Sequence, residues 1–398
     1  MTFDFDTLID RRNTDSLKWR AYGDALPLWV ADMDFLAPEP VIRALRARVD
    51  HGIFGYAQEP PELRDVLCGW LQRRFGWTVA PDALVFVPGV VSAFNVACRA
   101  FCAAGDGVLM QAPVYPPMRT APANFGLTRD EMELTADETG RYHVDFERMR
   151  ETITERTRLF TLCSPHNPTG RVFDVGELTA MAETCLARDV MICSDEIHCD
   201  LVFRPHRHTP IASLDPEIAR RTVTIMAPSK TFNIPGLGFS FAVIEDEGVR
   251  RAFVAAGRDI VPHTGPLAYA GALAAYAEGE AWLEACIDYL QANRDFLLDF
   301  VAAHMPGVRV AAPEATYLAW LDFRGAGLGA DPHAFFLEHA GVALNQAAPF
   351  GPGSDGFTRL NFGCPRARLV EALERMADAM RRRGPFDSAP FGRSAQGA

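Results

Sequence analysis

Six short apolar runs recur through the middle of this chain, at residues 84–87 (LVFV), 108–110 (VLM), 158–162 (RLFTL), 190–193 (VMIC), 222–225 (TVTI) and 239–243 (FSFAV). Continuous runs of this length read as strands buried on both faces. Segments of helical character lie between most of them, among them 92–102 and 175–188. Strands that alternate with helices can pair in parallel, because the helix supplies the crossover, so the pattern predicts an α/β core around a largely parallel sheet. A chain of 398 residues is long enough to bury such a core and to carry more than one domain.

After Gly265 the pattern changes to a long helical stretch through Trp282, Cys286, Leu290 and Phe300, which stops near Pro306-Gly307. Residues 316–321 (TYLAWL) then read as a strand, and 365–383 as a charged terminal helix. The tail from Pro385 is rich in Pro, Gly and Ser and is expected to be disordered. Thirty-nine basic against 51 acidic side chains give a net charge of -12 without a basic cluster, which argues against a nucleic-acid partner. The acidic start lacks a signal-peptide pattern, and the best apolar run, 267–277, is too short to span a bilayer. No membrane association and a cytoplasmic location are expected. Nine scattered cysteines form no paired CxxC pattern, so they read as reduced thiols and no metal site is expected.

Ligands of open α/β sheets bind outside the carboxyl ends of the strands, which directs attention to the residues just after each run. The first run leads into Pro88-Gly89-Val90-Val91-Ser92, where a glycine turn opening a helix would aim free N–H groups at an anion such as phosphate. The same glycine also reads as a simple turn. The second leads to Tyr115 between prolines, a ring that could stack on a flat ligand or pack on the core. The third enters SPHNPTG, a stiff loop presenting Asn167, and the fourth ends in Ser194-Asp195-Glu196-Ile197-His198. A carboxylate at a buried strand end suggests a cationic ligand. The fifth ends at Ser229-Lys230. An amine, a carboxylate, an amide, an imidazole, an aromatic ring and a helix N-terminus together suit a flat, phosphorylated heteroaromatic aldehyde. Pyridoxal 5'-phosphate has those features, with Lys230 as its Schiff-base amine, Asp195 keeping a proton on the pyridine nitrogen and the glycine-turn helix taking the phosphate.

In this order, SPHNPTGRVF, SDEIHCDLVF, APSKTFNIPGL and FTRLNFGCPR resemble the class I/II aminotransferase superfamily over nearly the whole chain. RRNTDSLKW, ADMDF, HGIFGY and TYLAWLD resemble, more narrowly, its cystathionine β-lyase branch of bacterial carbon–sulfur lyases. The resemblance implies an aspartate-aminotransferase-like α/β fold with a mostly parallel seven-stranded sheet and a smaller α+β domain. It divides the chain into an N-terminal segment 1–45 that joins the small domain, a large domain 46–280, a small domain 281–384 and the tail 385–398. It further implies that Lys230, Asp195, Asn167, His198, Tyr115, Ser229 and the turn Gly89-Val90-Val91 hold the cofactor. Arg359 would pair with the substrate α-carboxylate, with Ala31 and Asn167 beside it, and Tyr56 would reach the cofactor phosphate of a neighbouring subunit and assist the leaving group. A homodimer with shared active sites follows.

Two positions depart from the broader family. Gly238 stands where many aminotransferases have a phosphate-binding arginine, and Ala227 where serine is usual. The lyase branch commonly lacks that arginine as well. The resemblance therefore implies β-elimination from L-cystathionine or another cysteine S-conjugate to a thiol, pyruvate and ammonia, with transamination between an L-amino acid and a 2-oxo acid as the alternative. A regulatory protein that keeps the fold only as a scaffold is a third reading, against which the full set Lys230, Asp195, Asn167 and Arg359 speaks. His206 and His208 are expected on a loop facing the substrate entrance, and Asp32 and Asp34 in a structural role. Glu196 is expected to be paired or at the domain edge, and Cys364 to pack.

Overall fold

The structure, a computed structural model, describes residues 3–383. Seven strands form one sheet: β1 (Leu84–Val87), β2 (Gly107–Ala112), β3 (Thr128–Glu133), β4 (Thr157–Cys163), β5 (Met191–Asp195), β6 (Thr222–Met226) and β7 (Ser240–Val243). Their order across the sheet is β1-β7-β6-β5-β4-β2-β3. Only β7 runs against its neighbours, being antiparallel to both β1 and β6. All six apolar runs of the sequence lie in this sheet, and β2, β5 and β6 are buried along their whole length because helices cover both faces. On one face, Ala93, Phe94 and Ala97 of the helix Val90–Phe101 pack with Phe253 onto Val108, Val223 and Ile225. On the other, Leu178, Met181 and Ala182 of the helix Val175–Leu186 pack onto Leu109, Phe160 and Ile192.

The seventh strand, β3, has the sequence TRDEME and shows no apolar pattern. It is the sheet's edge, paired on one side with β2 and open on the other, so its outer residues stay polar.

The helical stretch expected after Gly265 is two helices, Pro266–Glu278 and Glu280–His304. They part at Gly279, where a Cβ would stand 2.4 Å from Ala275 O and 2.7 Å from Phe232 Cε1. Beyond them, β8 (Arg309–Val310), β9 (Leu318–Asp322), β10 (Asn345–Gln346) and β11 (Phe357–Asn361) form a second, antiparallel sheet in the order β8-β9-β11-β10. The strand expected over 316–321 begins at Leu318 instead. Thr316 takes a left-handed φ of 71°, and its N–H turns to Leu201 O at 2.7 Å, leaving the ladder to start two residues later. The helix Arg366–Arg383 closes the described chain, and the tail from Pro385 lies outside the described residues.

One continuous apolar cluster joins the N-terminal segment, the helices at 266–304 and the second sheet, with Phe5, Met33, Trp70, Phe232, Tyr276, Leu318 and Phe362 among its members. It seats the strap of residues 29–35 over the carboxyl ends of the large sheet. Asn361 Nδ2 donates to Val30 O and Asp32 O, both at 2.7 Å, while Asn233 Nδ2 donates to Met33 O at 2.9 Å and Phe35 O at 2.8 Å. Asp34 is buried and accepts from Lys18 Nζ, Arg11 Nη1 and Trp19 Nε1 at 2.8, 2.7 and 2.9 Å. Asp32 pairs with Arg11 at 2.8 Å, so both acids anchor the strap.

Candidate active site

A cavity of about 430 Å³ opens where β1, β2, β4, β5 and β6 end, roofed by the strap and by β10 and β11 of the second sheet. Each wall comes from one of the loops singled out in the sequence. At the end of β1, Gly89 has φ 151° and ψ 150°, a conformation that favours glycine, and the helix Val90–Phe101 starts at once. Gly89, Val90, Val91 and Ser92 line the cavity, so the helix start, with N–H groups that have no partner inside the helix, faces it. Tyr115, after β2, and Asn167, after β4, line it too.

Asp195 is the last residue of β5 and is 3% exposed. Its Oδ1 accepts from the Ile197 N–H at 3.1 Å, and among the described residues no ion pair reaches it. Burial raises its carboxyl to about 7, although Lys230 pulls the other way. Lys230 sits in the helical turn Pro228–Thr231 that follows β6, beside Ser229, and both line the cavity. Its Nζ donates to Ala31 O at 2.5 Å, and the same carbonyl accepts from Tyr317 Oη at 2.9 Å. Burial lowers the amine to about 8. His198 is buried as well, and burial, with the positive charges of Lys230 and Arg359, holds its imidazole well below the usual range. It is neutral near pH 7.

Arg359, on β11, is flanked by Trp320 of β9 and Asn345 of β10. Its Nη1 donates to Asn167 Oδ1 at 2.9 Å; its Nη2 donates to Trp29 O at 3.0 Å and Asn345 Oδ1 at 2.6 Å. The guanidinium stands 5.1 Å from the Phe350 ring centroid and is buried, and no carboxylate pairs with it among the described residues. Desolvation lowers it to about 10. A buried arginine without an acid is costly unless an anion arrives.

Eleven of the twelve site residues expected from the sequence thus line one cavity: Ala31, Gly89, Val90, Val91, Tyr115, Asn167, Asp195, His198, Ser229, Lys230 and Arg359. Tyr56 does not. Its side chain is fully exposed, on an irregular segment with exposed Ile53 and Phe54, and its ring meets His263 edge-on at 6.4 Å. Gly238 lines the cavity with a left-handed φ of 65°, a backbone that disfavours arginine there, whereas Ala227 is buried in the core and does not face the cavity. Sequence reasoning missed Trp29 and Asn345 in the lining.

His208 is not at the entrance, which corrects the expectation for that loop. It is buried, with Nε2 2.6 Å from Glu196 Oε2 and its ring edge-on to Phe75 at 5.6 Å. Glu196 also accepts from Ser194 Oγ at 2.8 Å, so it is a paired structural acid. Cys364 is packed in the core.

The sequence model of the family "Aminotransferase class I and II" matches residues 24–376. The chain belongs to this family. Within the class I and II aminotransferases it is similar to cystathionine β-lyase PatB of Bacillus subtilis (strain 168), with 41% identity over 385 residues covering 94% of this chain and 99% of that one. The crystal structure of OvoB is similar at 44% identity and a TM-score of 0.91, covering 95% of this chain and 99% of that chain. Cystalysin from Treponema denticola, whose crystal structure contains pyridoxal 5'-phosphate, matches at 33% identity and a TM-score of 0.91 over 96% of this chain and 100% of that one. The cavity fits that cofactor on chemical grounds: a buried carboxylate lacking a cation, an amine of lowered basicity, and a helix start with free N–H groups share one space of suitable size.

Proposed function

We propose that this protein is a pyridoxal 5'-phosphate-dependent carbon–sulfur β-lyase, cleaving L-cystathionine or a related cysteine S-conjugate to a thiol, pyruvate and ammonia. The observation that carries the reading is Asp195, a buried carboxylate facing the cavity without a cation of its own. A protonated pyridine nitrogen supplies the missing charge. The similarity to cystathionine β-lyase PatB over nearly the full chain supports elimination over transamination.

In this reading Lys230 and Asp195 would hold the two ends of the cofactor's reactive axis, and Tyr115 would cover its ring. Asn167 Oδ1 is taken by Arg359, which leaves the amide Nδ2 free to donate to a phenolic oxygen, with neutral His198 beside it. The phosphate would sit on the N–H groups of Val90 and Val91 with the hydroxyls of Ser92 and Ser229 nearby, where Gly238 offers room but no charge. When bound, the cofactor supplies an electron sink conjugated to the substrate's Cα.

The chain's own residues do the rest. Arg359 orients the substrate by its α-carboxylate, and a guanidinium fork fixes that group in a way an ammonium does not. At about 8, the Lys230 amine is neutral in a useful fraction of molecules near neutral pH, as required to accept the Cα proton. Once free of the cofactor, the amine would lie beside Ala31 O, which holds it next to the strap in this structure. The strap and the second sheet roof the cavity.

The reading includes a homodimer in which Tyr56, exposed on its own chain, reaches the partner's phosphate and assists the leaving group. It includes the division into 1–45, 46–280 and 281–384, and a reducing, cytoplasmic setting that suits nine free thiols. No described helix is long and apolar enough to cross a membrane. The test is incubation of the purified protein with L-cystathionine. Equal amounts of pyruvate and thiol are expected; exchange with a 2-oxo acid without thiol release would make it an aminotransferase.

A further inference from the structure

We propose that Asn345 is a placeholder for the substrate α-carboxylate: it holds Arg359 before substrate arrives and gives way when a carboxylate binds. The proposal rests on the reading that Arg359 takes that carboxylate.

A guanidinium carries five N–H donors, and the structure places four of them. One Nη1 hydrogen goes to Asn167, and both Nη2 hydrogens go to Trp29 O and Asn345 Oδ1. The Nε hydrogen is buried without a partner. A carboxylate binds an arginine in bidentate fashion along the Nε/Nη2 edge or the Nη1/Nη2 edge. Both edges use Nη2, which has no hydrogen left. One of its two acceptors must therefore leave.

Trp29 O belongs to the strap, whose next carbonyls are pinned by Asn361, so moving it means moving backbone. Asn345 Oδ1 ends a half-buried side chain that lines the cavity, and its amide Nδ2 makes one long contact, 3.4 Å to Gln346 O. Rotating that side chain frees the Nη2 hydrogen at small cost. The incoming carboxylate, charged where the amide is neutral, makes the stronger bond to the guanidinium. An aspartate at this position would remove that advantage, because the placeholder would then carry the same charge as the substrate.

The test titrates the cofactor-loaded protein with 2-methylalanine, which has neither a Cα hydrogen nor a leaving group, and with its carboxamide, following the visible absorbance of the bound cofactor. Asn345→Asp is expected to raise the Kd for 2-methylalanine by about tenfold or more and to leave that of the carboxamide within about twofold. Asn345→Ala is expected to leave the carboxylate Kd within about threefold or to tighten it. The proposal is overturned if Asn345→Asp weakens both ligands alike or neither. It is equally overturned if Asn345→Ala selectively weakens the carboxylate, since Asn345 would then be a binding group; that variant decides the matter if the aspartate does not fold. Neither probe undergoes elimination, so failure of the lyase reading would appear separately, as missing pyruvate from L-cystathionine.

Discussion

Arg359 Nη1 donates to Asn167 Oδ1 across 2.9 Å, joining the second sheet to the loop after β4. The bond turns the Asn167 amide so that its NH₂ group is left for a ligand. Asn167→Ala should lose both the donor and the brace on Arg359. We expect kcat/KM for L-cystathionine to fall about 10²-fold, the effect of about 2.7 kcal/mol, with KM rising as well as kcat falling. Steady-state kinetics check this, and a fall in kcat alone would mean that the brace is dispensable.

Lys230→Ala removes the amine that lies 2.5 Å from Ala31 O. Pyruvate formation should drop by at least about 10³-fold, because the variant loses both the covalent hold on the cofactor and the group that takes the Cα proton. Reduction with borohydride followed by mass spectrometry should find the cofactor fixed to the wild-type chain and absent from the variant.

Arg359→Lys keeps the charge and loses the fork. Asn167, Trp29 and Asn345 are spaced for a planar guanidinium, so an ammonium satisfies fewer of them. KM should rise about 30-fold or more with a smaller change in kcat, as removal of ground-state and transition-state binding alike requires.

Asp195 should trade stability against cofactor binding. In the cofactor-free protein its carboxyl is raised to about 7 by burial, above its ordinary 3.8. The sign follows from linkage: a raised acid favours the folded state below the ordinary value, and that contribution is lost as pH climbs through about 7. Asp195→Asn should therefore stabilise the cofactor-free protein at pH 8 by up to about 4 kcal/mol, with the gain vanishing near pH 4. With cofactor bound the order should reverse, since the pyridinium loses its counter-charge. Thermal melts of both proteins with and without cofactor, at the two pH values, read all four states.

Lys230, Asp195 and Asn167 were legible in the sequence because each follows an apolar run that can only be a buried strand, and strand ends in such sheets converge. Tyr115 and the Gly89 turn were legible for the same reason. Asn345, Trp29 and Asn233 were not. Trp29 and Asn233 belong to irregular segments and Asn345 to the two-residue strand β10, and the place of all three depends on the strap crossing to the large sheet, a contact with no local pattern. β3 was missed because an edge strand need not be apolar. His208 was misplaced because nothing in RPHRHTP reveals that Glu196, twelve residues earlier, waits inside the core for its imidazole.

Tyr56 gives the sharpest test of shared sites. Its ring is exposed and stands outside the cavity of its own chain, so a role in catalysis requires a second copy. If each site takes Lys230 from one chain and Tyr56 from the other, then Tyr56→Ala and Lys230→Ala homodimers are each impaired at both sites. Unfolding and refolding an equal mixture should make heterodimers in about half of the molecules by random pairing. Each heterodimer has one doubly damaged site and one intact site, so activity should return to about a quarter of wild type from parents that lack it. If Tyr56 acts within its own chain, every site in the mixture still carries one lesion and activity stays at the mean of the two parents.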